Sequence, residues 1–107
     1  MQSKTLCTLT LALLPALAVH AQTLSAADRQ ARAWAASCAA CHGTLGRATG
    51  AIVPIAGRDA EQLHRTLLEF KTGQRPAATV MHQHTKGYSD DELRRIASFF
   101  ATQPATP

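Results

Sequence analysis

The sequence predicts a small all-α protein, one domain of three main helices joined by two long loops. Three observations carry that expectation. Helix-capping signatures occur three times, each ahead of apolar residues spaced at the helical period, and no alternating run long enough for a strand interrupts them. The 107 residues also hold few side chains with which to fill an interior. Over residues 22–107 there are 36 apolar residues, but 17 are Ala and two are Cys, leaving 17 of real bulk. A domain of this size is marginal on surface-to-volume grounds, so the count points to a core completed by something other than protein.

Residues 1–21 read as an export signal. Lys4 supplies a positive start, and Thr5 to Val19 form a nearly uncharged run with Leu at 6, 9, 11, 13, 14 and 17. Val19-His20-Ala21 then offers small residues where a signal peptidase inspects the chain. Cleavage is expected after Ala21, with a single domain over 22–107 and no membrane span left after cleavage. A retained anchor fits less well, because the run is shorter than the roughly 20 residues a span needs and contains Pro15. Cys7 leaves with the signal on this reading.

The first helix is opened by Ser25 with Asp28 three residues on, and runs Ala-rich through Trp34 to about Ala40. Asp59 with Gln62 opens the second. There Leu63, Leu67 and Phe70 give one apolar stripe, and Gly73 is placed to end it. Ser89 with Glu92 opens the third, where Tyr88 and Leu93 are spaced as a hydrophobic staple and Leu93, Ile96, Ala97 and Phe100 form the buried face. The loops between, Gly43 to Arg58 and Gln74 to Gly87, are each roughly 15 residues, a length usually tied to function in a compact domain. No internal repeat is present, and Gln103 to Pro107 reads as a frayed tail.

Chemistry concentrates in Cys38-Ala39-Ala40-Cys41-His42. Two thiols three residues apart at the end of a helix can reach both vinyl groups of one haem as thioethers, and the adjoining His is then directed at the iron. Export to an oxidising compartment agrees with this chemistry. A thioredoxin-like redox pair would need a βαβ setting, which is not signalled. A zinc site lacks a second Cys pair, and His64, His82 and His84 show no paired ligand spacing. The opposite face of the iron needs a ligand or stays open. Met81 follows His42 by 39 residues, far enough for the chain to cross a haem and offer a thioether, and it sits among polar residues rather than on an apolar stripe. His82 and His84 are the alternatives.

With these residues in place, the chain resembles the class I cytochromes c over residues 22–107. Trp34 stands where the family carries an aromatic four residues before the first Cys, and Phe99 or Phe100 where it packs an aromatic at the crossing of its terminal helices. Pro54-Ile55-Ala56-Gly57 is similar to the segment whose Pro carbonyl holds the axial His ring, so the resemblance implies Pro54 as the hydrogen-bond acceptor for His42. A narrower resemblance, carried by Cys38 to Gly43 and by Thr79 to Leu93, is to the cytochrome subunits of flavocytochrome c sulfide dehydrogenases. Monohaem carriers of the c4 and c553 kind share the haem motif and the Pro54 to Gly57 segment. Some sulfide dehydrogenase cytochromes carry two haems on a chain about twice as long, whereas this sequence has one binding motif.

The resemblance implies one covalent haem c on Cys38 and Cys41, His42 and Met81 as axial ligands, and outer-sphere electron transfer in the periplasm with no catalysis of its own. The implied partner is a flavoprotein subunit or another redox protein. A diffusing carrier delivering electrons to an oxidase is the alternative, and a haem peroxidase or ligand sensor with an open distal site a further one. The formal charge of +3 over residues 22–107 is modest, and no basic block suggests nucleic acid.

Overall fold

A computed structural model describes residues 24–105. The expected signal segment 1–21, with Cys7, lies outside the described residues. Those described form four α-helices and one 3-10 turn, with no strand.

Helix α1 spans Ala26–His42 and starts where expected: the Ser25 hydroxyl accepts the Asp28 N–H at 3.1 Å. It runs two residues past the expected end, so Cys38, Cys41 and His42 occupy positions i, i+3 and i+4 on one helical face. A 3-10 turn, Thr44–Gly46, follows. Helix α2, Ala60–Lys71, begins with the Asp59 carboxylate accepting the Gln62 N–H at 2.8 Å. The chain leaves it through Thr72 and Gly73. Helix α4, Asp90–Ala101, carries a complete capping box, Ser89 Oγ taking the Glu92 N–H at 3.2 Å and Glu92 Oε2 the Ser89 N–H at 2.8 Å.

The second long loop is not all loop. Helix α3, Val80–Lys86, interrupts it, so the main helices number four rather than three. No local signal marks it: Thr79 makes no side-chain cap bond and the segment has no apolar stripe. Its support comes from packing on α2.

Helix α4 is the hub, packing on both α2 and α1. Ala35, Leu93, Ile96 and Phe100 form the buried cluster, and the small Ala31 and Ala35 side chains give α1 a close-approach face. Trp34 and Tyr88 pack on the edge of this cluster. The Arg95 guanidinium lies 5.0 Å from the Trp34 ring centroid and donates to the Ala27 carbonyl at 3.0 Å, tying α4 to the start of α1. His64, buried on α2, donates from Nε2 to the Asp90 carbonyl at 3.2 Å. Among the described residues few bulky apolar side chains are fully buried, because others, including Leu63, Leu67 and Ile55, are half-buried around a cleft.

Candidate haem site

A cleft of about 610 Å³ opens between the helices, inside the range of roughly 300–1,000 Å³ typical of cofactor sites. The end of α1 brings Cys38, Cys41 and His42 to it, the following loop brings Ile52 and Val53, and α4 lines it with Ile96, Ala97 and Phe100. The apolar α2 stripe of Leu63, Leu67 and Phe70 forms another wall. Helix α3 contributes Val80, Met81 and His84. The structure thus brings Cys38, Cys41, His42 and Met81 to one cavity.

The His42 ring is oriented by the chain. Its Nδ1–H donates to a backbone carbonyl at 2.7 Å, which leaves the Nε2 lone pair as the ring's metal-binding atom and raises its basicity. That carbonyl belongs to Val53, one residue before the expected Pro54. The Pro54 carbonyl instead accepts from Arg58 Nε at 2.8 Å. The offset accompanies the way the segment is pinned: the Gly46 carbonyl takes both the Ile55 N–H at 2.8 Å and the Ala56 N–H at 3.1 Å, and the Val53 carbonyl meets the ring at Nδ1. Sequence could not have singled out Val53, since a backbone carbonyl has no residue signature.

The two thiols differ in surroundings. Cys38 is half-buried and Cys41 exposed. Burial pushes the Cys38 thiol above its ordinary value, a hydrogen bond with Ser37 opposes part of that, and neighbouring Cys41 adds to it. His82, adjacent to Met81, is not a cleft residue: both its ring nitrogens face backbone carbonyls, Phe70 at 2.6 Å and Arg75 at 2.9 Å. His84 does line the cleft.

These features fit a c-type haem. The walls are mainly apolar, and Ile52, Val53 and Val80 are 44%, 53% and 57% exposed where they meet the cleft. So much open apolar surface in so small a domain calls for a cover. A flat apolar disc supplies it, with two thiols and an imidazole beside it. Arg58 and Arg75 also line the cavity, cations suited to carboxylate groups.

Among known proteins, the chain is 44% identical over 64 residues to the cytochrome subunit of sulfide dehydrogenase from Chlorobaculum tepidum, covering 60% of this chain and 57% of that protein. It is 38% identical over 71 residues to cytochrome c4 from Thiocapsa roseopersicina, covering 65% and 36%. With cytochrome c-554(548) from Halomonas halodenitrificans it shares 33% over 70 residues, covering 63% and 84%. It therefore spans just over half of the first of these relatives and about a third of the second. Residues 25–100 match the family described as cytochrome c oxidase, cbb3-type, subunit III. With that span matched, and with the thiol pair and its histidine gathered at one apolar cleft, the chain belongs to this cytochrome c family.

Proposed function

We propose that the protein is a one-electron carrier holding a single haem c, with Cys38 and Cys41 as thioether anchors and His42 and Met81 as axial ligands. Membership of a cytochrome c family implies covalently bound haem c. The observation that carries the ligand assignment is the shared cleft, where both thiols, the Nε2 of an oriented His42, and Met81 are found together. When bound, the haem supplies a ferric/ferrous couple, and a Met ligand favours the ferrous form and a relatively high potential. The chain's own work is to fix His42 through Val53, exclude water with the α2 and α4 walls, and keep reorganisation small.

The partner we favour is a flavoprotein, with this chain in the role that the name of its Chlorobaculum relative describes, the cytochrome subunit of a sulfide dehydrogenase. A diffusing carrier is the second reading, favoured by the 84% coverage of the short cytochrome c-554(548). The periplasm is the proposed location, reached through cleavage after Ala21, which the mass of the purified protein would check. No helix among the described residues is long and apolar enough to cross a membrane.

Charge near the cleft separates the two roles. Lys71 and Arg75 are already paired with Asp90 and Glu69, whereas Arg58, at the cleft, and Lys86, on α3, have no carboxylate partner among the described residues. Those two cations would speed encounter with an acidic partner. Stopped-flow reduction by a purified flavoprotein across a salt series, beside gel filtration of the mixture, tests this. Co-elution with salt-insensitive rates supports the permanent subunit. Separate elution with steep salt dependence, and slowing by Lys86→Glu, supports the diffusing carrier. Failure of every flavoprotein to reduce it counts against both.

A further inference from the structure

Apart from its packing on α2, helix α3 has few means of holding its own position. It is seven residues long, well below the length at which a helix is stable alone in water. No side chain caps its start. Thr85 is buried, but its hydroxyl donates back to Met81 and His82 of the same helix, at 2.8 and 3.4 Å. Among the described residues, the only side-chain hydrogen bonds that leave α3 are those of His82.

Their partners are informative. The Phe70 carbonyl, 2.6 Å from Nδ1, belongs to the last turn of α2 and also takes the Gly73 N–H at 3.2 Å. The Arg75 carbonyl, 2.9 Å from Nε2, also takes the Ala78 N–H at 3.0 Å and so closes the turn that leads into α3. The imidazole therefore spans the end of α2, the connecting turn and the start of α3. Its ring meets Phe70 edge to face, with centroids 6.4 Å apart at 86°. Arg75 covers the same Phe70 ring at 5.3 Å, and its Nε donates to Glu69 at 2.7 Å. Phe70, Arg75 and Met81 all line the cleft, and His82 does not.

We infer that His82 is a positioning residue, a strut that fixes the α2–α3 connection and so holds Met81 at the cleft. The inference rests on the reading of Met81 as an axial ligand. A thioether is a weak ligand that can dissociate and rebind, so its hold depends on how firmly the backbone beneath it is placed. With the strut removed, α3 keeps only its packing on α2, and Met81 should leave the iron more often while the other helices stay formed.

The test uses the haem-loaded protein with His82→Ala, His82→Asn and Met81→Ala. Asn retains a donor at the reach of Nδ1 towards Phe70. Cyanide binding to the ferric protein reads how often the sixth position opens, and the far-red absorption of Met-to-iron ligation, followed against helicity on heating, reads where it opens. An imidazole with one N–H donates to only one of the two carbonyls, so removing that one net hydrogen bond corresponds to a factor of about 2–13 in the open population. His82→Ala should bind cyanide faster by that factor and lose the far-red band below the temperature at which helicity melts, with His82→Asn intermediate. A His82→Ala cyanide rate within twofold of wild type, or band and helicity lost together, overturns the strut. Should His82→Ala fail to load haem, His82→Asn decides, and a wild-type rate and band there overturn it equally. If Met81→Ala leaves the band and the cyanide rate unchanged, the Met81 assignment itself has failed, an outcome distinct from a strut that does nothing.

Discussion

Replacing Gly46 with Ala should destabilise the fold from its centre. Gly46 is buried with φ at +81°, and a Cβ built on it would lie 2.8 Å from both Ile55 Cγ1 and Phe100 Cδ1 and 3.0 Å from the Ala56 nitrogen. Neither side chain can step aside freely: Phe100 belongs to the sealed cluster, and Ile55 is pinned by its own N–H to the Gly46 carbonyl. The left-handed backbone costs a non-glycine residue roughly 1–2 kcal/mol, and forcing a methyl into packed surroundings adds about 1–3 kcal/mol. A total of about 2–5 kcal/mol is a large share of the stability of so small a domain. It should lower Tm by at least about 8 °C. Gly50→Ala isolates the two contributions, since Gly50 also has positive φ, +88°, but nothing within 4 Å of its built Cβ. Thermal melting of both haem-loaded variants by circular dichroism is the assay. Equal losses for Gly46→Ala and Gly50→Ala would refute the packing argument.

Cys38→Ala combined with Cys41→Ala should leave no cooperatively folded domain, because among the described residues Leu93, Ile96 and Phe100 are the only bulky apolar side chains buried without the haem; native helicity with a sharp melt in that variant would contradict this. Pro54→Ala should be mild, within about 1 kcal/mol by denaturant unfolding, because the residue supplies only a carbonyl to Arg58 and a restricted φ. The hydrogen bond and charge of Lys71 hold the Asp90 carboxyl below the usual carboxylate range, with smaller help from His64 and Arg94. A depressed folded value stabilises above the unfolded one and is lost as pH falls, so Lys71→Met should lower Tm at neutral pH and converge with wild type as pH drops through the Asp90 titration. A gap that stays constant as pH falls through and below the usual carboxylate range would mean that Lys71 acts through packing.

What was legible in the sequence was local. Ser25, Asp59 and Ser89 each accept the N–H three residues on, and such bonds are encoded within four positions of chain, so the starts of α1, α2 and α4 could be read directly. Helix α3 could not, because its support is distant: His82 reaches back 12 residues to Phe70. The α2 stripe of Leu63, Leu67 and Phe70 was legible as apolar but not as a cavity wall, since periodicity says which face is buried and not what it is buried against. The shift from Pro54 to Val53 has the same origin. It accompanies the pair of hydrogen bonds to the Gly46 carbonyl, a tertiary contact that leaves no mark on composition. The thiol pair and His42 stood out because covalent haem attachment needs particular residue types at fixed spacing.

The central claim, a one-electron carrier with His42 and Met81 on a single haem, is tested most directly by voltammetry of the haem-loaded protein with the ferric far-red band recorded alongside, for wild type and Met81→Ala. The account predicts one reversible one-electron wave and a far-red band in wild type, with the band gone and the potential markedly lower in Met81→Ala. An irreversible response in wild type, or a band and potential that survive the substitution of Met81 unchanged, would contradict it.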